Sequence, residues 1–196
     1  MNYPLHITFK TLAIAQQLSI TDATGNLIFY VKQKAFKLKD SVTVFADAQQ
    51  TRPAFAINAD RVIDFSANFN FTDMSGRWFG AIKRHGRRSI WRAHYEIYDG
   101  AQPNPALMIK EENPWSKVFD AMFGEIPILG IFTGYVFNPS YLVSRPNGMP
   151  VMRLKKERSF LGRSFSINKL AEIDQNEELR ILLALIMMNL LERHRG

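Results

Sequence analysis

Apolar and polar residues alternate one by one over much of this chain. The clearest stretch reads Trp91-Arg92-Ala93-His94-Tyr95-Glu96-Ile97-Tyr98. A period of two puts Trp91, Ala93, Tyr95 and Ile97 on one face and the intervening residues on the other. One dry face and one wet face describe an antiparallel strand. Turn signals punctuate the pattern at a near-constant interval. Asp22-Ala23-Thr24-Gly25, Asp47-Ala48-Gln49-Gln50, Asp73-Met74-Ser75-Gly76 and Asp99-Gly100 follow one another at steps of 25, 26 and 26 residues (47 − 22, 73 − 47, 99 − 73). Aspartate at the head of a turn can accept from its own backbone two residues on, and glycine three residues later accepts positive φ. Arg145-Pro146-Asn147-Gly148 is a further hairpin signal. Evenly spaced hairpins throughout a chain predict a barrel or a sandwich.

Two segments switch to helical periodicity. Over residues 114–123, Trp115, Val118, Phe119 and Met122 share one face, with Pro114 at the start and Gly124 after the end. The second helix is expected over about 174–194. Asp174 and Glu177 have the spacing of a capping box, and Glu177 and Glu178 suit the positive helix end. Residues 181–188 are apolar on every side. A helix without a polar face must be enclosed, and among hairpins only the inside of a barrel or a deep groove offers that. One domain over residues 1–196 follows, with the strands at about 5–168 and the last helix at its centre.

Composition narrows the function. The chain has 196 residues and no cysteine, which excludes disulfides, thiolate nucleophiles and cysteine-based metal or iron–sulfur sites. The only candidate membrane span, residues 181–191, is short of the roughly 20 helical residues that cross a bilayer. The sequence from Met1 to His6 lacks the basic-then-apolar order of a secretory signal. A cytoplasmic location is the expectation. The formal charge is +7, from 25 Lys and Arg against 18 Asp and Glu. The excess is concentrated in Lys83-Arg84-His85-Gly86-Arg87-Arg88 and in Lys155-Lys156-Glu157-Arg158.

Three stretches are similar to two related groups of proteins. Residues 20–31, from Ile20-Thr21-Asp22 to Phe29-Tyr30-Val31, resemble the opening hairpin of the LURP-one-related proteins. Residues 36–47, from Phe36-Lys37-Leu38-Lys39-Asp40 to Asp47, resemble the segment that follows it. Asn138-Pro139-Ser140-Tyr141, with Gly148 and residues 151–155, is similar to a later hairpin of scramblase-like proteins. The resemblance implies a mainly β, tubby-like fold: a closed antiparallel barrel with a buried hydrophobic C-terminal helix. Functions in that superfamily diverge, from phosphoinositide binding by tubby C-terminal domains to plant defence, so the fold transfers better than the role. The acids around Asp174 lack the ligand spacing of a calcium loop.

Catalytic patterns are sparse. The four histidines form no metal-ligand motif, and no nucleophile elbow or phosphate-binding glycine loop occurs. Glu111 and Glu112 are adjacent, so in a strand they point to opposite faces. A non-enzymatic module without metal or cofactor is expected. The candidate site is the set Lys83, Arg84, Arg87, Arg88, Lys155, Lys156 and Arg158, with Lys83 to Arg88 read as the tip of a hairpin. Its first expected partner is an anionic phospholipid or phosphoinositide surface. Nucleic acid, stacked on an exposed ring such as Trp78 or Tyr98, is the second. A protein partner on the 114–123 helix is the third.

Overall fold

The computed structural model describes residues 1–11, 15–34, 41–61, 67–84, 94–100, 102–112, 140–157 and 163–193. The helix expected at 114–123 lies outside them. Twelve strands form a single sheet: β1 (Leu5–Thr11), β2 (Ala15–Thr21), β3 (Leu27–Lys34), β4 (Val42–Phe45), β5 (Pro53–Ala59), β6 (Asn68–Asp73), β7 (Trp78–Arg84), β8 (His94–Tyr98), β9 (Leu107–Glu111), β10 (Ser140–Ser144), β11 (Pro150–Glu157) and β12 (Arg163–Lys169). Each strand pairs antiparallel with its sequence neighbours, and β1 pairs with β12 to close the barrel. The one described helix, α1 (Gln175–Arg193), runs through the interior.

Up-and-down order sorts the connections by end. Odd-numbered strands all run the same way, so the links β2–β3, β4–β5, β6–β7, β8–β9 and β10–β11 gather at one end, called here the turn end. The odd strands finish at the other, the rim end. The regular aspartate spacing therefore measures one strand out and one strand back. At the turn end Asp22 Oδ1 accepts from the Thr24 and Asn26 amides at 3.0 and 2.9 Å. Asp47 accepts from the Thr51 and Arg52 amides, and Asp73 from those of Ser75 and Arg77. These bonds to the ionised form hold all three carboxyls below the usual carboxylate range, the hydroxyls of Thr24, Thr51 and Ser75 contributing most. In the second turn the left-handed position falls to Gln50, at φ 63°, where a glycine stands in the others.

The alternation resolves as expected where the strands are described. Tyr95 and Ile97 are buried and His94, Glu96 and Tyr98 face outward; Trp91 and Ala93 lie outside the described residues. Every side chain from Ile181 to Met188 is at most 1% exposed. The inward residues of the strands, among them Leu5, Ile7, Ile20, Phe71, Ile82, Ile109 and Leu154, form one continuous core with them. Asn189, the polar side chain that follows this stretch, donates to the Leu185 carbonyl four residues back.

Polar bonds fix the helix at both ends. At the turn end Asp174 caps it, its Oδ1 accepting from the amides of Asn176 and Glu177. The reciprocal half of a capping box does not form, because the Glu177 carboxylate is engaged by Arg145 at 3.0 Å. The Tyr3 hydroxyl donates to Glu178 at 2.8 Å. Arg180, buried, reaches Asp99 at 2.8 Å and the Phe79 carbonyl at 3.1 Å, with its guanidinium over the Phe79 ring. Its side chain passes through space that Gly80 leaves open. A Cβ at Gly80 would stand 2.7 Å from the Tyr98 carbonyl and 2.8 Å from Arg180 Cδ, on a backbone at φ 148°. At the rim end the Tyr95 hydroxyl makes a short hydrogen bond to Glu192. A tyrosine thus holds a helix glutamate at each end of the barrel.

Two outcomes follow for stability. Gly80→Ala must displace Arg180 or the β8 backbone, and is expected to cost about 1–3 kcal/mol, read as a lower urea midpoint at unchanged slope. Burial, with the adjoining glutamates, raises the hydroxyl pKa of Tyr3, Tyr95 and Tyr141 far above the usual tyrosine range. Tyr98, also desolvated and bonded to Glu96, is pushed up to about 12. A raised folded-state value stabilises fully below the unfolded value and is lost as pH climbs past it. Stability is therefore expected to hold up to about pH 10 and to fall steeply above it. Tyr95→Phe should make that fall shallower, as followed by phenolate absorbance and circular dichroism.

Candidate functional site

Six strands end at the rim, and their outward positions carry an unforeseen pattern. Lys10 lies on β1, Lys32 on β3, Lys83 on β7, Lys110 on β9 and Lys155 on β11. Each flanks a buried residue in its own strand (Phe9, Val31, Ile82, Ile109 and Leu154), so each points to the outer face. Five of the six strands that run toward this end therefore contribute at least one lysine close to it. Lys10 and Lys32 stand in one cross-strand row, both opposite Gln17. All but the half-buried Lys83 are exposed. Among the described residues no salt bridge engages any of the five. Lys83 stands directly opposite Glu96, whose carboxylate accepts from Tyr98.

The expected candidates divide between the two surfaces of the barrel. Lys83 and Lys155 face outward. Arg84 ends β7: two residues after the buried Ile82 and opposite the buried Tyr95, it takes the inward side at the mouth of the barrel, where its buried Nε donates to no partner among the described residues. Its charge acts on the Tyr95 hydroxyl. Lys156, opposite the buried Phe165 and two residues after Leu154, also lies on the inward side. Arg87, Arg88 and Arg158 lie outside the described residues. The two basic segments nonetheless belong to one end. The cross-strand row from Arg84 passes through Tyr95, Ile109 and Val143 to Met152, three residues before Lys155. Four strand spacings separate β7 from β11, about 19 Å along the sheet.

Inside the rim, tyrosine hydroxyls and carboxylates face one another. Tyr95 bonds Glu192, and the carboxylates of Glu111 and Glu192 both act on the desolvated Tyr141 hydroxyl. Outside it, Glu112 accepts from Arg153 at 2.9 Å and from the Ser140 hydroxyl. Glu111 and Glu112 thus turn to opposite faces, and no paired-carboxylate geometry arises. Among the described residues no group of three or more His, Asp or Glu could hold a metal ion. Nor is any described helix long and apolar enough to cross a membrane.

Lys10, Lys32 and Lys110 escaped sequence reasoning because they form no run. Lys10 and Lys110 are single lysines in their strands and Lys32 shares β3 only with Lys34, and only the closure of the sheet collects them. The available signal was the parity of their positions relative to the buried residues beside them.

The fold and the rim can be set beside known proteins. A protein from Arabidopsis thaliana, solved by X-ray diffraction, superposes with a TM-score of 0.50 at 16% identity, over 95% of this chain and 92% of that one. At that identity the likeness speaks to the fold. No curated protein matches the chain significantly. A family model described as LURP-one-related matches residues 27–188, well over half of the 196. The matched span runs from the first residue of β3 into the enclosed part of α1, and the chain belongs to the LURP-one-related family.

Proposed function

We propose that this barrel is a non-enzymatic module that binds anionic phospholipid head groups, phosphoinositides among them, through its lysine rim. The observation that carries the reading is the set of five outward lysines, one per strand, at a single end and without salt-bridge partners among the described residues. A ring of point charges at the end of a rigid barrel meets a flat anionic surface with several cations at once. Each cation near such a surface contributes about 1 kcal/mol, and the attraction fades within a Debye length as salt rises. Arg84 and Lys156, on the inward side of the same mouth, lie where a phosphate dipping into the rim would meet them. The wider kinship with scramblase-like and tubby-like domains, and a cytoplasmic, membrane-peripheral location, belong to the same proposal.

Nucleic acid would need exposed rings beside the cations. Trp78 is exposed, but it opens β7 at the turn end, one strand length from Lys83; Tyr98 is half-buried and bonded to Glu96. Anionic lipid is the better-supported partner.

Vesicle co-sedimentation tests the reading. The protein is expected to pellet with phosphatidylserine or phosphoinositide vesicles at low salt, and to remain in solution with neutral vesicles. Reversing Lys32, Lys110 and Lys155, all exposed, to Glu should weaken binding by more than about a hundredfold without changing the thermal midpoint. Undiminished binding by that variant, or equal binding to neutral vesicles, would refute the proposal.

A further inference from the structure

One seam of the barrel is laddered differently from the rest. Between β3 and β4, among the described residues, Tyr30 and Phe45 are the one pair in register. At every other seam at least four residue pairs are in register. Continuing the register from Tyr30 would set Val31, Lys32 and Gln33 opposite Val44, Thr43 and Val42, yet none of these pairs forms. The strands have not ended there. β3 stays laddered to β2 as far as Lys34, opposite Ala15, and β4 is laddered to β5 from Val42, opposite Ile57. Each is extended and paired on its far side, but not toward its neighbour. Val31, Val42 and Val44 are at most 2% exposed, so the lapse lies in the backbone ladder and the core stays covered.

A strand paired on one side alone directs every second N–H and C=O toward an absent neighbour. On the rim half of this seam two such rows face each other. Rows of this kind recognise the backbone of another extended chain. A helix satisfies its own backbone and has no such row to offer. Charge narrows the choice further. Strands β1 to β5 contain Lys10, Lys32 and Lys34 and no acidic residue. Lys32 is exposed on the outward side of the seam itself, and the exposed Lys10 lies two strands away in the same cross-strand row.

We infer that the rim half of the β3–β4 seam is a strand-addition site for an extended acidic segment of another protein. The segment pairs by its backbone with β3 and β4. Its acidic side chains alternate outward, toward Lys32 and Lys10, and its apolar ones inward, beside Val31 and Val44. The inference goes beyond the lipid reading and does not rest on it, because a lipid head group has no backbone to pair.

Amide hydrogen exchange of the full chain, read residue by residue, tests the free seam. Alternate amides of residues 31–34 and 42–44 are expected to exchange much faster than those bonded in the β2–β3 and β4–β5 ladders. The binding probe is a short peptide alternating Val and Glu. It is expected to slow exchange at those same amides and, by fluorescence anisotropy, to bind at least about tenfold more tightly than its fully N-methylated form, which cannot donate to a strand. A peptide alternating Val and Lys should bind more weakly than the Val–Glu one. Lys10→Glu with Lys32→Glu should weaken the Val–Glu peptide several-fold. Lys110→Glu with Lys155→Glu should leave it undiminished while vesicle binding falls. Full protection of the seam amides in the free protein overturns the inference. So does equal binding of the Val–Glu peptide and its N-methylated or Val–Lys counterpart, or indifference to the Lys10 and Lys32 reversals. Protection of the seam that grows with protein concentration in the absence of peptide also overturns it, by making a second copy the occupant.

Discussion

Enclosure of one helix is the constraint on which the rest of the structure depends. Residues 181–188 have no side fit for water, so the chain must surround them completely. Twelve strands do so in a closed ring, and open edges are where sheets invite unwanted pairing. The interior is consequently a packed core with the helix as its axis. Burial supplies the attraction, but it is non-directional and would tolerate a helix that slides or turns. The directional bonds lie at the two mouths. Tyr3 with Glu178, Arg145 with Glu177 and Arg180 with Asp99 fix one end; Tyr95 with Glu192 fixes the other. Gly80 belongs to the same arrangement, because the route of Arg180 through the wall exists only where a Cβ is missing.

The same topology separates the two mouths. An even number of antiparallel strands sends every odd strand toward one end, so any feature tied to strand direction accumulates there. Turns closed by aspartate collect at one mouth and lysines at the other. Their charges differ in kind as well as sign. The turn-end carboxylates are occupied with backbone amides, hydroxyls and guanidinium groups, whereas the rim lysines have no salt-bridge partner among the described residues. The first arrangement serves folding, and the second leaves charge available to another molecule.

Much of this was legible in the sequence, and the parts that were not share a cause. The strands, the turn spacing and the enclosed helix are local or periodic signals, and local geometry decides them. The capping of α1 by Asp174 was readable for the same reason. What Glu177 does was not, since its partner Arg145 is 32 residues away. The basic runs drew attention because they are contiguous, yet contiguity in a strand sends alternate residues to opposite faces. Arg84 and Lys156 turn inward while Lys83 and Lys155 stay outside. Lys10, Lys32 and Lys110 became part of the picture only through the order in which strands close.

Closure of the sheet by β1 against β12 has a kinetic side. The two partners are separated by the whole barrel, with Leu5 paired to Ile167, and the segment that fills the interior follows both. On the ribosome, at about 5–20 residues per second, the early strands wait many seconds before either their last neighbour or their core is made. During that wait β1 to β11 present inward faces of Ile, Phe, Val and Leu with nothing to cover them. A barrel built in this way keeps its apolar strands uncovered until its last element is made, and its long-range pairing makes folding slow.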